Sequence, residues 1–177
     1  MAACLISLVS PLYAGLPELK NTLSNLHEHL HLKVLGYSSV YLADYQVDSF
    51  ENIHDIRNDT HLEALAMVMK YEVTMDFEEL YTQLHEFQSM EQSKPFQTRA
   101  EIRLLSYEDR VMSRPSMHIP HPELIERPDW LVPAGEVWPD FDHPILKEPL
   151  KDLAGKYQGV PWGRFYAQGK SVLEVEG

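Results

Sequence analysis

The residues best equipped for chemistry lie between Thr98 and Asp140. Arg99, Glu101 and Arg103 alternate with Ala100, Ile102 and Leu104, so on a strand the three charged side chains share one face. Glu101 and Arg103 stand at i and i+2, a carboxylate beside a cation. Arg103 would repel a divalent metal, yet it can pair with a phosphate or with Glu101. The plain alternative is a solvated strand face carrying a weak surface pair. Further on, His121 stands between Pro120 and Pro122, and Arg127 and Trp130 follow. His118, His121 and His143 match no tight zinc spacing, and no cysteine is near them. His27, His29 and His31, two residues apart, do not share a helical face and read as polar exits from a helix. Cys4 lies in an apolar run and reads as a small buried residue.

The elements that must hold these residues follow from periodicity. Ala3–Val9 is an apolar run of strand length. After a loop from Ser10 to Gly15, Leu16, Leu19, Leu23, Leu26 and Leu30 recur at helical spacing, with Pro17 in the first turn. Lys33–Asp44 reads as a second strand, Tyr45–Asp59 as a long polar loop, and Thr60–Val73 as a third strand. Asp76–Met90 is a helix, with Asp76 as N-cap and Phe77, Leu80, Leu84 and Phe87 as its apolar stripe. Arg99–Tyr107 is a fourth strand, followed by a turn at Glu108-Asp109 from which Arg110–Met112 could continue a hairpin. The prolines at 115, 120, 122, 128 and 133 exclude a long helix or a central strand. That segment is expected as short helical turns packed over the end of the sheet. A short helix ending at Gly155 and a tail forming a strand or a docking segment complete the chain. The order implies an α+β fold: a ferredoxin-like βαββαβ antiparallel sheet with helices on one face and a proline-rich C-terminal cap.

With 177 residues the chain is long enough for one domain with a sizeable core. A net charge of −12 and no basic run exclude nucleic acid as a bulk partner. The single cysteine excludes an intramolecular disulfide, and the N-terminal apolar run lacks a basic flank and is too short to span a bilayer. The expected location is cytoplasmic, with no membrane partner.

The order Pro120-His121-Pro122, Arg127, Trp130-Leu131-Val132-Pro133, Glu136 and Pro139-Asp140 resembles the C-terminal half of the 6-hydroxymethyl-7,8-dihydropterin pyrophosphokinases (HPPK). The likeness extends more loosely over residues 2–153 of a single domain, leaving 154–177 as an extension; Ser38-Ser39-Val40-Tyr41 also matches. The resemblance implies the same ferredoxin-like fold and, in an active member, ATP, Mg²⁺ and a pterin. It places the metal-binding carboxylates on Glu101 and Arg103, giving both a catalytic position and leaving Glu101 as the metal ligand. It places nucleotide contacts on Lys94, Arg99, His121 and Arg127. It places pterin contacts on Ser10, Leu12, Glu63 and Trp130, and it implies that the loop after residue 44 closes over both substrates. The departures are Val9 and Pro11 in place of a glycine and an asparagine, Glu63 in place of an asparagine, Asp129 where an aromatic is usual, Arg103 in place of an aspartate, and few basic residues around Lys94 and Arg99. The expected function is therefore that of a family member with weakened or lost diphosphate transfer. The alternative is a non-catalytic pterin-, heterocycle- or protein-binding module on the same fold.

Overall fold

The computed structural model of the chain describes residues 1–46, 61–95 and 98–173. From residue 47 onward the expected Tyr45–Asp59 loop lies outside the described residues. The central strand is β1 (Ala2–Pro11). It pairs antiparallel with β4 (His61–Val73) on one side, from Ala2↔Val73 to Pro11↔Ala64, and with β5 (Glu101–Tyr107) on the other. A strand covered on both faces must be apolar on both, which is why AACLISLV shows almost no alternation. Cys4, Ile6 and Leu8 face α1 (Gly15–Leu30) and α2 (Phe77–Glu91) in one core cluster. Leu5 and Val9 face the opposite side.

The first two helices follow the sequence closely. Leu19, Leu23, Leu26 and Leu30 of α1 are buried, as are Phe77, Leu80, Leu84 and Phe87 of α2. Asp76 caps α2 by accepting from the Glu79 N–H at 2.9 Å. The three histidines of the α1 end have separate environments. His27 bonds the Tyr71 hydroxyl at 2.7 Å, His29 leans on Phe87, and His31 closes the helix at φ 51.

The second strand is divided. Lys33–Asp44 forms β2 (Lys33–Tyr37) and β3 (Val40–Gln46), both paired with β4. At the break, Ser38 substitutes side-chain for backbone bonding: the Val68 N–H donates to Ser38 Oγ at 2.9 Å, and the Ser38 N–H donates to Val68 O at 3.0 Å. The fourth strand is not extended into a hairpin either. The chain turns at Glu108, and β6 (Met112–Arg114) and β7 (Met117–Ile119) form a separate two-stranded ribbon.

The proline-rich cap contains more helix than its prolines suggest. Within it, α3 (Pro128–Val137) starts on Pro128 and encloses Pro133. A proline inside a helix costs about 3 kcal/mol, whereas burying a large apolar side chain returns roughly 1.5–3 kcal/mol. Trp130, Leu131 and Ala134 are all buried against Val9, Ala64, Ala66 and Val68, so packing wins. With α4 (Leu150–Gly155), this helix covers the sheet face that α1 and α2 leave open. The tail adds β8 (Gly163–Ala167) to the outer edge of β3, where a Cβ on Gly163 would meet Leu42 O at 2.5 Å. Then α5 (Lys170–Leu173) sends Val172 into the first core. The sheet order is β5-β1-β4-β3-β8, with β2 beside β4, the ferredoxin-like α+β arrangement. No helix among the described residues is long and apolar enough to cross a membrane.

Candidate functional site

Because β5 ends the sheet, its outer side is open to α2, and the two leave a groove of about 540 Å³. That volume suits a small-molecule ligand. Tyr81, Gln88, Arg99, Arg103, His118 and His121 are among its lining residues, with Glu101 at its floor. Side chains of α2 bond the β5 edge as another strand would. Gln88 Oε1 accepts from Ile102 N at 2.6 Å and from Arg103 Nη1 at 3.0 Å, while Gln88 Nε2 donates to Ala100 O at 3.0 Å. Glu91 accepts from Ala100 N at 3.1 Å. Sequence reasoning missed both residues, although they continue the Phe77-Leu80-Leu84 stripe at helical spacing.

His121 closes the groove at one end. Its N–H donates to Leu105 O at 2.8 Å, its Nδ1 accepts from Glu123 N at 3.1 Å, and its ring meets Trp130 edge-on at 4.6 Å. Burial, then the charge of Arg103, then His118 hold its pKa down to about 4, so the imidazole is neutral at pH 7.

Glu101 is not part of a solvated face: it is 6% exposed. Arg127, at the N-cap of α3, donates to it from Nη1 at 3.0 Å. The same guanidinium grips Asp129, with Nε 3.2 Å from Oδ1 and Nη2 2.7 Å from Oδ2, and lies 3.6 Å from the Trp130 ring centroid. Burial pushes the Glu101 carboxyl up to about 7, Arg103 opposes this, and Asp129 and Glu123 reinforce it. Magnesium requires several accessible oxygens in near-octahedral array. In a phosphoryl-transfer site the protein ordinarily supplies one or two carboxylates and the substrate phosphates and water the rest; here one oxygen of Glu101 is taken by Arg127, and the other expected position on the strand is the cation Arg103. The residues present therefore do not fit Mg²⁺.

The other expected site residues, Arg99 excepted, lie apart. Lys94 pairs with Glu91 at 2.7 Å and with Glu18 at 3.5 Å, while Arg99 lines the groove and donates to Lys94 O at 3.1 Å. Ser10 is fully buried opposite Leu65, Leu12 starts a 3₁₀ turn, and Glu63 is exposed opposite Asp44. Trp130 is 1% exposed in the second core cluster. None of these four lines the groove. Glu136, part of the motif series, accepts from Ser39 N, Ser39 Oγ and the Tyr41 hydroxyl, tying α3 to the β2–β3 break. The fold thus brings Arg99, Glu101, Arg103 and His121 together, with Arg127 joined through Glu101.

No family model matches the chain. Over 53 residues, 30% of its length, it is 36% identical to the 2-amino-4-hydroxy-6-hydroxymethyldihydropteridine pyrophosphokinase of Aquifex aeolicus. Solved structures of Plasmodium falciparum HPPK-DHPS resemble it in fold. The wild type with SDX-DHP superposes at a TM-score of 0.63 and 11% identity, covering 89% of this chain and 44% of that one. The wild type with pteroate gives 0.62 and 11%, covering 88% and 44%. These findings support an HPPK-family assignment through a local sequence likeness and an HPPK-like fold. At such identities the structural likeness shows the fold alone. The local match spans 33% of the curated relative, and this chain covers less than half of the solved HPPK-DHPS chains.

Proposed function

We propose that the chain is an HPPK-type protein in which transfer of diphosphate from ATP to 6-hydroxymethyl-7,8-dihydropterin is weakened or lost. At the family level its context is pyrophosphokinase chemistry in folate biosynthesis. One observation carries the reading: Glu101, the one remaining carboxylate where the resemblance implies a metal-binding pair, is already engaged by Arg127 at 3.0 Å. Phosphoryl transfer depends on positioned positive charge at the phosphate oxygens, and the loss of one such stabilising group typically costs about 10²–10³ in rate. A formed groove with two arginines supports retained ligand binding without turnover. The test is AMP release from ATP, magnesium and 6-hydroxymethyl-7,8-dihydropterin, run beside the Aquifex aeolicus relative. A rate lower by about 10² or more is expected. An equal rate would overturn the proposal.

A further inference from the structure

We infer that the α2–β5 groove takes a phosphate-bearing anion directly on arginine, without a divalent cation. This deepens the proposal above, since it rests on that groove being the ligand site.

The chain carries a net charge of −12, yet the groove is locally cationic. Arg99 and Arg103 both line it. Among the described residues the lining holds one carboxylate, Glu101, and it is in contact with Arg127. A field of this sign inside an acidic protein favours an anion at that place.

Arg103 supplies the specific recognition. Its Nη1 donates to Gln88 Oε1 at 3.0 Å and to Ile102 O at 2.9 Å. Those two bonds fix the plane of the guanidinium on the half-buried side of the groove, and they leave the Nε and Nη2 donors without a hydrogen bond among the described residues. A planar fork held in place, with donors to spare, matches a phosphate's oxygens in a bidentate pair. A divalent metal in the same place would have to approach a fixed positive charge and a carboxylate already in an ion pair. The arginine therefore supplies the charge that a metal would otherwise bring. Magnesium bound to the ligand would neutralise the charge that Arg103 reads, so the free anion is the better ligand.

The test is calorimetric titration of the full chain with inorganic tripolyphosphate and, separately, with a non-hydrolysable ATP analogue. Each titration is run in EDTA and in magnesium. Binding in EDTA is expected to be at least as tight as in magnesium. Arg103→Ala should weaken it by about 10- to 100-fold, the ordinary range for a lost charge-assisted pair. Arg103→Gln, which keeps a polar group near Gln88 while removing the charge, guards against simple misfolding and should show a similar loss with an unchanged thermal melt. Tighter binding of the analogue than of tripolyphosphate would support the inference with a nucleotide as the source; equal binding would support it with phosphate alone recognised. Binding that requires magnesium, binding indifferent to both Arg103 variants, or none from folded protein would overturn it. AMP release at the relative's rate would overturn the proposed function whatever EDTA does. Loss of binding in EDTA would overturn this inference even where no AMP forms.

Discussion

Replacing Arg127 with methionine should expose how the groove floor is held. The guanidinium contacts Glu101 at 3.0 Å and Asp129 at 2.7 Å, and both acidic residues are buried, at 6% and 8% exposure. Removing one partner of a buried pair costs about 3–5 kcal/mol because the remaining charge is uncompensated. Methionine restores some of the packing on Trp130, which moves the expected loss toward the lower figure, about 3 kcal/mol. A pH signature separates this account from loss of packing. Burial already raises the Glu101 carboxyl to about 7, above its usual value of 4.5. A group whose folded pKa is raised contributes stability below the unfolded pKa and loses it as pH rises through the folded value. Without Arg127 the folded Glu101 value rises further, so the variant's deficit should be largest above pH 7 and shrink toward about pH 5 as Glu101 takes a proton. Urea denaturation of both proteins across that range measures it. The double variant Arg127→Met with Glu101→Gln should recover part of the loss at pH 7. A deficit below about 1 kcal/mol, or one that does not vary with pH, would refute the reasoning.

Three further outcomes follow from the same contacts. Gln88→Leu removes the bonds to Ala100 O, Ile102 N and Arg103 Nη1, and should cost about 2–4 kcal/mol in urea unfolding, with the β5 amides losing hydrogen-exchange protection first. His121 has its pKa lowered to about 4, chiefly by burial, so the unfolded chain takes up a proton before the folded one does. Stability should therefore fall as pH drops from about 6.5 to 4, and His121→Gln should flatten that part of the stability curve. Ser38→Ala leaves the Val68 N–H without its partner across the strand break and should cost about 1–3 kcal/mol, measured by thermal or urea unfolding.

Much of the fold is legible from period alone. The runs AACLISLV and DFEELYTQLHEF declare a two-faced central strand and a capped amphipathic helix, and β1 and α2 stand there. The strand break at Ser38 is not legible, because KVLGYSSVYLAD has strand propensity throughout and only a serine hydroxyl facing Val68 interrupts it. The α3 helix is hidden by its prolines, whose local cost is outweighed by the burial of Trp130 and Leu131 on a sheet assembled from distant segments. At the site, alternation correctly sends Ala100, Ile102 and Leu104 into the first core. What alternation lacks is the partner. A charged strand face reads as solvated until Arg127, 26 residues further on, arrives at the start of α3 and buries Glu101. The motif series around Pro120-His121-Pro122 supplies two of the groove's lining residues, His121 and Pro122, while Trp130, which that series suggests for ring stacking, is interior.

The central claim is that this site does not hold a divalent metal. Mn²⁺ paramagnetic resonance tests it directly, by titrating manganese into the full chain in the presence of a non-hydrolysable ATP analogue. The account expects a spectrum no different from manganese with the analogue alone. An additional immobilised manganese signal that magnesium displaces, and that Glu101→Gln abolishes, would contradict it.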